Sequence, residues 1–262
     1  MKKSPRSLLL VIIAVYMIIW VPVVTLVVFS VNDSQYATSW NGFTLKWYKA
    51  FFQSEGAIHA IKVSLIIAFS SVLIATSIGT ATAIALSRFG FRGKEVYRSL
   101  LLIPMIMPEV AMGVAMLVFF TAVGQRLGMV TIIIAHVAFS IPLTTLVVLA
   151  RMQRIDPALE EAAQDLGADE ITTMVKITLP LLMPGILSAA LIAFPWSFND
   201  YLITFFTAGV GTTTLPIHIF SLVKHGLSPM VNAIGTLVIL LPILLVILAG
   251  ILQRKRKYEQ VT

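Results

Sequence analysis

Few side chains in this chain could do chemistry, and their spacing excludes most kinds of it. There is no cysteine, so no disulfide, thiolate nucleophile or sulfur metal site is possible. No GxxxxGK[ST] loop occurs, so the chain does not itself cradle ATP in that way. No nucleophile–base pair and no cluster with metal-ligand spacing stands out. No catalytic residue, metal or cofactor is therefore expected. His136 is the one histidine inside a clear apolar run. A lone buried histidine is more often a hydrogen-bonded packing residue than a ligand. Haem held by two histidines would need a second at similar depth, and His59, His218 and His225 all fall in segments between runs.

Two acids in apolar surroundings remain. Glu109 follows Pro104 and Pro108 within a run that is otherwise uncharged. An acid at membrane depth costs about 2.5–3.5 kcal/mol on insertion scales, so it needs a partner or a wet cavity. It reads equally as a paired structural acid or as a wall of a translocation path. Asp200 follows Phe194-Pro195-Trp196-Ser197-Phe198-Asn199 and precedes Tyr201. A carboxylate among aromatic faces, behind a proline kink, suits an amine cation. The plainer reading is an aromatic belt with Asp200 at the outer interface. Glu109, Trp196, Asn199, Asp200 and Tyr201 are the candidate substrate-path residues.

The elements that must position these groups are apolar helices. The 262 residues are 58% hydrophobic and 12% charged, with a mean hydropathy of +0.94. Soluble domains carry about a quarter charged residues, so the composition is that of an integral membrane protein. Six runs, about 8–31, 63–87, 99–123, 127–150, 177–200 and 226–253, are each long enough to cross a core of about 30 Å as a helix. The fold class expected is all-α integral membrane, a single transmembrane domain over 1–262. The prolines at 104 and 108 should kink the third helix. Ser71, Ala75, Gly79, Ala83 and Ser87 put small residues on one face of the second, which permits close helix approach. Trp47, Tyr48 and Phe51 lie on one face of a short helix suited to the membrane surface.

Charge sets the orientation. The net charge of +7 could suggest a nucleic-acid partner, but the basic residues form no single patch. With six spans, the N-terminus, Arg88–Arg98, Arg151–Lys176 and the tail from Arg254 carry three, four, three and four Lys/Arg, fourteen of the 19. The positive-inside rule makes that side the cytoplasm and puts both termini there. A seventh span over Tyr201–Val223 would send the basic tail outside, so that stretch reads as an external or re-entrant segment. Arg88–Lys94 reads as an anchor on anionic membrane lipid.

One acidic stretch, 156–180, lies between long uncharged runs on that basic side. Asp156 is a good N-cap with Pro157 at the first helical position. Gly167 can take the left-handed conformation that closes a helix. Asp169 can cap a second helix, which Pro180 limits. Such an elbow at a membrane surface looks built to be gripped by a soluble partner. The residues Glu161-Ala162-Ala163, Gly167 four positions on, and Ile177-Thr178-Leu179-Pro180 fill every fixed position of a known pattern. The chain thus resembles the EAA-loop membrane subunits of bacterial ABC importers. A narrower resemblance, to the PotC-type permeases of spermidine/putrescine importers, rests on Trp40 to Tyr48, Ser197 to Thr204, and Leu227-Ser228-Pro229 with Val231-Asn232-Ala233. One departure is Asn199-Asp200, where that family usually has paired acids.

The resemblance implies a type I importer permease. Its partners would be a sister permease subunit, two copies of an ATPase and an external substrate-binding protein. Glu160, Glu161, Ala162, Ala163, Asp165, Gly167, Ala168, Ile177, Leu179 and Pro180 would make the ATPase-coupling segment. The solute would be a small cation such as spermidine or putrescine. Alternatives are a quaternary amine, an aminophosphonate or ferric iron, or a stand-alone secondary transporter that needs no ATPase.

Overall fold

The computed structural model describes residues 5–34, 39–224 and 229–259. The described residues are helical: α1 Pro5–Phe29, α2 Lys46–Gln53, α3 Glu55–Arg88, α4 Lys94–Ile106, α5 Glu109–Ala122, α6 Met129–Met152, α7 Ala158–Asp165, α8 Glu170–Thr173, α9 Leu179–Asn199, α10 Leu202–Thr207, α11 Leu215–Lys224 and α12 Pro229–Glu259. Lys2 and Lys3, the first positions of the sixth run at 226–228, and Leu227-Ser228 lie outside them, as does His225. The chain packs as two compact units, Met1–His59 with His218–Leu244, and Ala60–Ile217 with Leu245–Thr262.

Among the described residues, four helices are long and apolar enough to cross a membrane: Leu8–Phe29, Glu55–Arg88, Met129–Met152 and Glu170–Asn199. The large apolar side chains of α1 from Leu8 to Trp20 are 44–75% exposed, so this helix needs an apolar surrounding that the chain itself does not supply.

The third run is not one continuous helix. α4 and α5 meet at a bend of 106°, a break rather than the expected kink. The cause is local. Met107 precedes a proline, which disfavours helical backbone, and sits at φ −67, ψ 137. Pro108 is extended as well, at φ −57, ψ 134. Two successive extended residues redirect the chain, and Glu109 starts the new helix.

In the smaller unit, the aromatic loop helix α2 is tied to the end of α1. Tyr48 hydroxyl lies 2.7 Å from that of Ser30, Trp47 Nε1 donates to the Asn32 carbonyl at 2.9 Å, and Phe51 is buried. In the larger unit, α3, α6 and α9 share a core of Ala83, Val148, Leu149, Met152, Leu182 and Ala189. The small face of α3 lets α6 close in. Thr144 Oγ1 donates to the Ala75 carbonyl at 2.9 Å, and a Cβ at Gly79 would stand 2.1 Å from that hydroxyl. A second core of Met112, Ala135, Phe139 and Ile203 joins α5, α6 and α10.

Candidate functional site

The elbow is built from its caps. Pro157 already has helical dihedrals, φ −56 and ψ −28, and Asp156 Oδ1 accepts the Ala158 N–H at 3.0 Å. At the other end of α7, the Gly167 N–H bonds the Gln164 carbonyl at 2.9 Å and the Ala168 N–H bonds that of Ala163 at 3.0 Å. This double closure is the Schellman motif, and it requires the left-handed backbone that Gly167 adopts at φ +91. Asp169 then caps α8 by accepting the Thr172 N–H at 3.0 Å. The Thr172 hydroxyl and backbone N–H hold the Asp169 carboxyl below its ordinary range.

The second helix of the elbow does not stop at Pro180. Proline offers no N–H and crowds the carbonyl four residues back. The chain absorbs this with one π turn over Met174–Thr178, the Leu179 N–H reaching the Met174 carbonyl, and runs on as α9. Residues Glu170–Asn199 therefore form one apolar helix, so the first helix of the elbow is short as expected while the second, expected to be short, runs on into α9.

Exposure divides the elbow into two faces. Glu161, Ala162, Asp165 and Gly167 are exposed, as are four large apolar side chains: Leu159 at 49%, Leu166 at 90%, Ile171 at 74% and Val175 at 56%. Ala163, Ala168, Ile177 and Leu179 are half-buried and Pro180 is exposed. Glu160 turns inward. Its Oε1 accepts from Arg88 Nη2 at 2.5 Å and from the Thr178 hydroxyl at 2.7 Å. Arg151 Nε donates to the Leu181 carbonyl at 3.2 Å, fastening α6 to the start of α9. Sequence placed Arg88 only in a lipid-anchoring loop and Thr178 only in the Ile177–Pro180 pattern, with no link between them. The signal available was a second glutamate beside Glu161, on the opposite side of the helix from the exposed face.

The candidate substrate-path residues spread over the α9–α10 junction and the start of α5. Trp196 and Asn199 are exposed, Tyr201 is half-buried, and Glu109 is exposed in the first turn of α5. Trp196 packs against Phe139 with ring centres 6.1 Å apart. Asp200 is placed differently from these four. It is 8% exposed, and its Oδ2 accepts the Thr204 N–H at 2.7 Å and the Thr204 hydroxyl at 2.8 Å, starting α10. His136 Nε2 lies 3.3 Å from the same oxygen and 3.0 Å from Thr204 Oγ1. His136 Nδ1 lies 2.7 Å from Ser197 Oγ. Thr131 Oγ1 adds a 2.8 Å bond to the Thr207 carbonyl. A carboxylate anticipated to face an amine is here committed to a closed network joining α6, α9 and α10. The polar spacing Ser197, Asp200, Thr204, Thr207 along an apolar stretch was the legible hint of it.

Residues 72–258 match the family described as binding-protein-dependent transport system inner membrane component. The chain is 40% identical to the spermidine/putrescine transport system permease protein PotC of Haemophilus influenzae, over 93% of this chain and 95% of that protein. It is 36% identical to PotC of Escherichia coli strain K12, over 93% and 92%, and 35% identical to the putrescine transport system permease protein PotI of the same strain, over 90% and 86%. Among solved structures, a bacterial ABC transporter involved in import of the acidic polysaccharide alginate matches with a TM-score of 0.73 at 20% identity, over 95% of this chain and 96% of that one. The inward-facing MetNI methionine ABC transporter matches with a TM-score of 0.64 at 21% identity, over 78% and 99%. These two likenesses are of fold.

Proposed function

Because this chain belongs to the family of binding-protein-dependent transport system inner membrane components, we propose that it is the polyamine-importing permease of an ATP-driven complex, coupled to its ATPase through the elbow at 156–180. It is a multi-pass component of the bacterial inner membrane and a transport subunit. In this reading it crosses the membrane six times with both termini inside, pairs with a sister permease, receives spermidine or putrescine from an external binding protein, and rests on two ATPase copies.

The observation that carries the coupling role is the outer face of the elbow. This polar, capped segment leaves three large apolar side chains uncovered beside acids: Leu159, Leu166, which is 90% exposed, and Ile171. A soluble subunit with an apolar cleft rimmed by basic groups fits it. The second helix of the elbow runs on into α9, and Arg151 of α6 bonds the Leu181 carbonyl there, so displacement at these side chains is carried into two membrane helices.

For the solute, the relatives named for spermidine and putrescine support a polyamine. Glu109, Trp196, Asn199 and Tyr201 supply a carboxylate, an amide and aromatic faces for ammonium groups. Asp200 serves the same path by holding α10 in place. The test is uptake of labelled spermidine and putrescine by the whole complex in proteoliposomes with ATP inside. Saturable uptake of either, competed by the other, is expected. Uptake of neither, with hydrolysis stimulated by a different solute, would contradict the assignment.

A further inference from the structure

The geometry points to Glu160 as a positioning residue that couples the elbow to α3, forming with Arg88 and Thr178 a clamp distinct from the surface that meets the ATPase. This rests on the coupling role proposed above and assigns Glu160 a task within it.

Three observations support the clamp. The Glu160 and Arg88 side chains are 16% and 25% exposed, so the ion pair is largely withdrawn from solvent, where screening is weaker than at a surface. One carboxylate oxygen receives both donors, Arg88 Nη2 at 2.5 Å and Thr178 Oγ1 at 2.7 Å. The three residues come from three elements: Arg88 ends α3, Glu160 belongs to α7, and Thr178 closes the π turn that opens into α9.

The chain itself joins the elbow to α6 and α9 but leaves α3 unconnected to it for 72 residues of sequence. The carboxylate of Glu160 supplies that missing connection. It sits at the π turn, a wider and less regular helical turn that can change register. Movement of α7 therefore pulls on Arg88 and on Thr178 together. The neighbouring Glu161 points outward and is free to meet a partner. The two adjacent glutamates divide the labour, one facing the ATPase and one transmitting inward.

The experiment measures ATP hydrolysed per spermidine imported by the full complex in proteoliposomes. Glu160→Gln keeps an acceptor for Thr178 but removes the charge that Arg88 pairs with. ATP hydrolysis should stay near wild type while uptake falls about fivefold or more, the scale of a typical coupling free energy. Arg88→Gln should do the same, and the two together should be no worse than either alone. The exchange Arg88→Glu with Glu160→Arg should recover uptake that each change alone abolishes. Independent, multiplicative losses in the double variant, or Glu160→Gln at the wild-type ratio, would overturn the clamp while leaving the coupling role intact. If instead the wild-type complex takes up spermidine with no dependence on ATP hydrolysis, the coupling reading itself fails and the clamp falls with it. Should Glu160→Gln fail to assemble, the charge exchange still decides. Recovery supports the pair, and its absence in an assembled complex contradicts it.

Discussion

The elbow at 156–180 and the network around Asp200 both set acids against apolar helices, and they are built in opposite ways. At the elbow, Glu161 and Asp165 are exposed beside Leu166 and Ile171. At the α9–α10 junction, Asp200 is buried and bonded to Thr204 and His136. The first arrangement leaves bonding capacity for something outside the chain. The second uses it up within the chain. The lesson is that an acid's role follows from its neighbours' donors, since a carboxylate stands in both places. The same contrast recurs one residue apart in α7, where Glu160 turns in and Glu161 turns out.

The contrast is open to attack, beginning where the effect should be greatest. Asp200→Ala removes the acceptor for a buried histidine and a helix start. Truncating one partner of a buried pair costs about 3–5 kcal/mol, so thermal melting of the detergent-solubilised protein should drop sharply, with Asp200→Asn in between. Glu161→Ala should leave melting unchanged and instead weaken ATPase association. Equal melting of the two alanine variants would erase the distinction.

Gly167 comes next. A β-branched residue at its positive φ costs about 1–2 kcal/mol from backbone sterics alone, because no atom crowds the site. Gly167→Val should lose most uptake while the protein still assembles, and Gly167→Asn, which tolerates that backbone, should lose less. Normal uptake by Gly167→Val would mean that the elbow's shape is unimportant.

The smallest effect concerns Asp169. Its carboxyl is held below the ordinary range by Thr172, so its cap is fully present above that range. The contribution is lost only as the pH falls through the lowered folded value. Hydrogen exchange at the Thr172 amide should be flat, relative to its intrinsic rate, across neutral pH and accelerate only in acid. Fraying that begins near neutrality would assign the cap elsewhere.

The elbow was the most legible part of the sequence. Caps and the closing glycine are local effects, encoded within four or five residues, and Asp156, Gly167 and Asp169 could be read directly. Four of the apolar runs were equally plain, because length and composition suffice. The interior pairings were not. Arg88 meets Glu160 across 72 residues and His136 meets Ser197 across 61, and no periodicity reports which helix faces which. The break at Met107–Pro108 was visible as two prolines but not as a right-angled turn, since its size depends on two adjacent residues both being extended. The π turn escaped notice because Pro180 reads as a stop, whereas the helix widened by one residue and continued.

The account's central claim can be tested with one thiol, since the chain has no cysteine. Leu166→Cys places that thiol at the most exposed apolar side chain of the elbow. In sealed inside-out membrane vesicles, a membrane-impermeant bifunctional thiol-to-amine reagent should join it to the ATPase subunit, and intact cells treated from outside should show no labelling. Labelling from outside, or accessible labelling in vesicles with no ATPase in the cross-linked product, would contradict the claim that the elbow is the ATPase's point of attachment.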